Sequence, residues 1–158
     1  MKNTFKRSGA ALISLVLLLV LAVSAGAASS QNVGVKFWKE RSDKESMANS
    51  GSDPDRTATL TWQTNGTYTL TLPVKQVSKL GVTGYLSGLT IGDVTYDGTL
   101  TGDFNKATAV LTIKNLPASV LTGSDSSKAL AVTCSIKMDT ILLGDISTSA
   151  KMSIWVER

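Results

Sequence analysis

The chain has 158 residues, of which 42% are apolar and 18% charged, and it carries a formal net charge of +4 with one cysteine and no histidine. Without histidine the commonest general base and metal ligand is gone, so serine–histidine and cysteine–histidine nucleophile systems are excluded. The single cysteine, Cys134, excludes an internal disulfide.

Lys2, Lys6 and Arg7 precede an apolar run over residues 9–23 that only Ser14 interrupts, and the small residues SAGAASS follow. A basic start, an apolar centre and a small-residue exit describe a secretory signal peptide, and the run is short for a membrane span. A cut after Ala27 assigns residues 1–27 to the signal peptide and residues 28–158 to one exported domain, long enough to bury a core. The leader takes three basic residues and no acidic ones, which leaves 13 basic against 12 acidic, or +1. No basic field remains to attract nucleic acid. The expected location is secreted or cell surface, with no membrane span after processing, and export without a disulfide fits a bacterial protein.

VGVKFW, residues 33–38, is the first predicted strand. The connection SDKESMANSGSDPDR, residues 42–56, is polar except for Met47, and a short helical turn is expected over residues 42–48. TATLTWQ, residues 57–63, alternates, with Ala58, Leu60 and Trp62 on one face. Thr64, Asn65 and Gly66 form a hairpin turn, and TYTLTLP, residues 67–73, places Tyr68, Leu70 and Leu72 inward. YLSGLTI, residues 85–91, is a strand in a glycine-rich bend. DVTYDGTL, residues 93–100, contains a predicted Asp97-Gly98 turn. KATAVLTIKNLP, KALAVTCSIKM and SAKMSIWVE complete the set, with residues 139–148 joining the last two. About eight short strands with period-two alternation and β-branched residues make the chain all-β, an antiparallel immunoglobulin-like β-sandwich. Cys134, Met138, Met152 and the three tryptophans, Trp38, Trp62 and Trp155, are expected in the core.

The densest acidic groups are Asp53 with Asp55, and Asp93, Asp97 and Asp103. Paired carboxylates hydrolyse glycosides when they face each other across a cleft. Here they flank turns and a proline, so solvated loop carboxylates are the simpler reading and a carboxylate glycosidase ranks third among the functions. DVTYDGTLTGDFN alternates oxygen ligands but lacks a recognised calcium-loop spacing. The sequence is that of a binding module and not of an enzyme.

The run VGVKFWKERSDKESMANSGSDPDRTATLTWQTNGTYTLTLPV resembles the start of a near-iron-transporter (NEAT) domain. These immunoglobulin-like modules of Gram-positive surface and secreted proteins capture haem. The shared order is an apolar strand, a polar stretch with a Ser-Met pair, a strand and a hairpin strand, and SDKESMAN matches the lip that forms a short 3₁₀ helix in the family. The resemblance implies that Ser46 approaches a haem propionate and that Met47 packs on the porphyrin. In the loop DTILLGDISTS, Ile141, Leu142, Leu143 and Ile146 would form an apolar floor. The family's last-strand Tyr-x-x-x-Tyr pair falls on Ile146 and Ala150, neither of which ligates iron. The resemblance therefore implies haem that is weakly held or a host haemoprotein as ligand, with the metal ligand unknown and the Met47 or Met138 thioether within reach of iron. The alternative is a non-haem module of the same fold that binds another surface protein or a glycan. Met47 itself has two readings, a lip over a ligand or an adaptable plug at the open end of the sandwich.

Overall fold

A computed structural model describes residues 28–79, 81–139 and 144–158. The predicted leader, residues 1–27, and the predicted floor residues Ile141, Leu142 and Leu143 lie outside the described residues.

The strands are β1 (Ser30–Lys39), β2 (Ala58–Trp62), β3 (Tyr68–Pro73), β4 (Val77–Lys79), β5 (Val82–Ile91), β6 (Val94–Thr101), β7 (Val110–Leu116), β8 (Leu130–Met138) and β9 (Ile146–Val156). The alternation that predicts about eight strands accounts for all of these except the three-residue β4. Every pairing is antiparallel. The order β4-β5-β6-β7-β3-β2-β1-β9-β8 returns on itself because β8 also pairs with β5. The two faces of the sandwich are thus joined along both edges and close as a barrel, which leaves few strand edges open to other chains.

Period-two burial explains the closure. Ala58 and Leu60 on β2, Leu70 and Leu72 on β3, Val132, Cys134 and Ile136 on β8, and Ala150, Met152 and Ile154 on β9 all point inward. All of them except Ile136 meet Phe37, Leu111 and Ile113 in one core, and each large apolar side chain contributes roughly 1.5–3 kcal/mol by leaving water. Cys134 is fully buried as expected, and burial pushes its thiol up to about 12, which makes it inert.

Two expectations fail for steric reasons. Asp97 and Gly98 lie inside β6 and not at a turn. Gly98 pairs with Ile113, and a Cβ there would strike the Leu111 side chain. The glycine therefore makes room for a core leucine. The turn between β5 and β6 falls at Gly92, whose φ is 59°. The tryptophans are not core residues either. Trp62 ends β2 at 37% exposure, edge-on to Tyr68 with ring centroids 4.8 Å apart. Trp38 and Trp155 are half-buried on the outer faces of β1 and β9, where the Trp38 indole N–H donates to Ser153 Oγ (2.9 Å) and the Trp155 ring lies over Gly34. Phe37, Met152 and Ile154 already fill the space behind them. Met152 is core as expected, while Met138 is half-buried at the end of β8.

Candidate functional site

β1 has ten residues and β2 five, so β2 covers β1 only from Ser30 to Val33. The polar connection takes the place that β2 leaves open. Glu45 bridges Trp38, the Ser46 N–H donates to the Phe37 carbonyl (2.9 Å), and the Phe37 N–H donates to Asn49 Oδ1 (3.1 Å). Ser52 then bridges Val74 just beyond β3, and the Asp53 N–H donates to the Pro73 carbonyl (2.9 Å).

These attachments hold a 3₁₀ turn at Met47–Gly51. Ser46 is its N-cap, with its Oγ accepting from the Ala48 N–H (3.3 Å). The turn starts later than the expected residues 42–48, because the Phe37 main chain fixes Ser46 and Asn49, and serine content alone does not choose among possible caps. Ser46 is 7% exposed, so it braces the turn from within and does not stand free at a groove edge. Ala48 and Gly51 face the core, while Met47 is half-buried at the surface. Ala48 therefore fills the space beneath the turn that the plug reading assigned to Met47.

The turn packs against β1 and β5. The ends of the same two strands carry the base of the β8–β9 hairpin, through Lys39 opposite Ala150 and Gly84 opposite Met138. Lip and hairpin base thus share one end of the barrel. Ile146, the first residue of β9, pairs with Ile136 and is half-buried.

Two structures of one NEAT domain are among the solved structures that share this architecture. The NEAT5 domain of IsdX2, a B. anthracis hemophore in complex with heme, matches with a TM-score of 0.52 at 10% identity, over 84% of this chain and 99% of that one. A point mutant of IsdX2-NEAT5, also in complex with heme, matches with a TM-score of 0.53 at the same identity and coverage. The chain has a NEAT-like fold. No family model and no curated protein matches it.

Within the NEAT-like fold, Ile146 and Ala150 occupy one inward row of β9, but their surroundings differ. Ile146 is at the rim, whereas Ala150 is 1% exposed and part of the core. The tyrosines of the described residues lie elsewhere. Tyr68 is beside Trp62, Tyr85 is against Phe104 (5.6 Å) and Tyr96 packs on the core. Among the described residues no group of three or more histidine, cysteine or carboxylate side chains is gathered for a metal ion. Asp93 is exposed between β5 and β6, and Asp97 is exposed on β6. The run DVTYDGTLTGDFN is largely extended strand and not a calcium loop.

Sequence reasoning missed two polar anchors of this region. Asn49 reads as one more loop residue, yet its amide oxygen satisfies the Phe37 N–H. Arg56 reads as a surface cation, yet its Nε bonds Asp53 Oδ2 (2.8 Å) and its Nη2 bonds the carbonyls of Ala109 (2.7 Å) and Val74 (3.1 Å). The i, i+3 spacing of Asp53 and Arg56 was the available signal. The Arg56 hydrogen bond holds the Asp53 carboxyl below the usual carboxylate range, and Lys36, 2.9 Å away, does the same for exposed Glu45. Asn49→Ala is expected to cost about 1–2 kcal/mol, because the Phe37 N–H loses its partner. Hydrogen exchange should accelerate at Phe37 and along Met47–Gly51 while the β7 amides stay protected. Unchanged exchange at Phe37 would show that Asn49 does not hold the lip.

Proposed function

We propose that this is a non-catalytic, secreted or cell-surface module that binds haem, free or drawn from a host haemoprotein, between the lip turn and the β8–β9 hairpin. The observation that carries this reading is the half-buried Met47 on a braced 3₁₀ turn, at the same end of the barrel as the half-buried start of β9. The NEAT-like fold supports it, since the two IsdX2-NEAT5 structures it resembles are heme complexes. The apolar contacts would be Met47, Ile141, Leu142, Leu143 and Ile146, with Ser46 fixing the pose of the lip. The signal-peptide pattern supports export, and no helix of the described residues is long and apolar enough to cross a membrane.

The donor set fits the face of a porphyrin better than it fits iron. The chain has no histidine, and β9 offers isoleucine and alanine at the positions the family resemblance assigns to tyrosine. Binding then rests on burial, at roughly 1.5–3 kcal/mol for each fully buried aliphatic side chain less the cost of association. Haem added to the purified protein is expected to give a Soret shift of low affinity without a tyrosinate signature. Met47→Ala is expected to weaken binding by roughly 1–2 kcal/mol, one half-buried apolar contact, with thermal stability unchanged. Tight tyrosinate-type binding by the native protein, or indifference to Met47→Ala, would refute this site. The missing iron ligands favour one second reading, a non-haem module for a surface protein or glycan, which a protein that gives no Soret shift but is retained on immobilised host protein or glycan would support.

A further inference from the structure

Below the lip, the wall between β1 and β2 is open. Main-chain groups of β1 alternate in direction. Asn32 faces β9, where its carbonyl accepts from the Glu157 N–H (3.0 Å), whereas Ser29, Phe37 and Lys39 bond partners on the β2 and lip side. Val35 belongs to the second set. Val33 is paired with Ala58 and Phe37 is covered by Ser46 and Asn49. Between them, beyond the end of the β2 ladder, Val35 lines a groove of about 410 Å³; by the same alternation its N–H and C=O face that side, and no loop hydrogen bond among the described residues reaches either of them. Val35 and Leu72 form its apolar floor, residues 52–57 one wall, and Trp155 with Glu157 the opposite rim.

The charges of the groove are unequal. Lys36 is paired with Glu45 (2.9 Å) and Arg56 with Asp53 (2.8 Å). Asp55 and Glu157 also line the groove, both exposed and both without an ion-pair partner among the described residues. An open donor–acceptor pair on a strand edge is what an extended main chain recognises, and two uncompensated carboxylates favour a cation beside it. A volume of about 410 Å³ lies at the small end of ligand clefts.

We propose that this groove binds a short extended peptide carrying a lysine or arginine, paired through its main chain to Val35 and through its cation to Asp55 and Glu157. The groove borders the lip through Glu45 and Asn49, but Val35, Asp55 and Glu157 lie outside the lip turn, and peptide binding there does not depend on haem. The exported chain, labelled with ¹⁵N, is titrated at low salt with acetyl-Val-Lys-Val-amide and with acetyl-Val-Glu-Val-amide. The lysine peptide is expected to shift the Val35 amide resonance and to bind at least tenfold more tightly than the glutamate peptide. Asp55→Asn combined with Glu157→Gln should abolish that preference while the Soret response to haem stays as in the native protein. Equal affinities, no binding of either peptide, or shifts confined to Met47–Gly51 would overturn the proposal.

Discussion

Ile146→Tyr is expected to tighten haem binding tenfold to a hundredfold, about 1.4–2.8 kcal/mol, and to introduce a tyrosinate charge-transfer band. Ile146 begins β9 at the rim of the barrel end that carries the lip, and it is half-buried. A tyrosine there extends from the same inward row without displacing core atoms, and a phenolate is an established axial ligand for ferric haem. Ala150 makes the internal contrast. It lies four residues on in the same strand, but it is 1% exposed, paired with Val132 and Lys39. Ala150→Tyr would force a large side chain into filled space and is expected to cost about 1–3 kcal/mol of stability, or more. Absorption spectra and denaturant melts of the two variants measure both effects. An Ile146→Tyr protein with the native spectrum would remove β9 from the proposed haem site.

Arg56→Met is expected to lower stability by about 2–4 kcal/mol. The guanidinium joins the loop after the lip to the end of β3 and the start of β7 through three hydrogen bonds. Methionine keeps much of the apolar stem but leaves a half-buried carboxylate and a carbonyl without their donor. Hydrogen bonds from a charged group are worth about 1.5–3 kcal/mol, and the partial exposure of Arg56 keeps the loss below that of a fully buried pair. The effect should depend on pH with a definite sign. The Asp53 carboxyl is held below its ordinary value in the folded state. Its contribution is therefore complete above the unfolded value, near 3.9, and is lost as the pH falls through the lowered folded value. Native protein and variant should differ most at neutral pH and converge in acid, as followed by urea melts from pH 7 down to pH 2. A gap that stays constant over that range would show that the Asp53 pair is not what Arg56 contributes.

Alternation in TATLTWQ and TYTLTLP placed Ala58, Leu60, Leu70 and Leu72 inside, because a pleated strand sends successive side chains to opposite faces whatever its neighbours are. The hairpin between those strands was legible too. Gly66 has a φ of 81° and Asn65 Oδ1 accepts from the Thr67 N–H (3.1 Å), both local demands of the turn. Cys134 was legible as a buried strand residue for the same reason as the leucines. A short helical turn in the polar connection was also legible, although the sequence sets it over residues 42–48 and the structure has it at Met47–Gly51.

The tertiary structure decided everything that depends on which strands meet. An Asp-Gly pair signals a turn in isolation, but here Asp97 pairs with Gly88 of β5, Gly98 pairs with Ile113 of β7, and the glycine yields its space to Leu111. Trp38 and Trp155 count as apolar in any pattern, yet their parity on β1 and β9 puts them outside, with Phe37, Met152 and Ile154 behind. Ile146 and Ala150 are equivalent by spacing and unlike in burial, since only the packing of the β9 row against the rest of the barrel separates rim from core. Asn49, Arg56 and the open edge at Val35 have no sequence signature of comparable strength. Each arises because β2 is shorter than β1, so a loop must complete the wall by side-chain and main-chain hydrogen bonds. Strand character is a local property of the chain by itself, whereas register, closure and the groove beside Val35 are set by contacts between residues far apart in sequence.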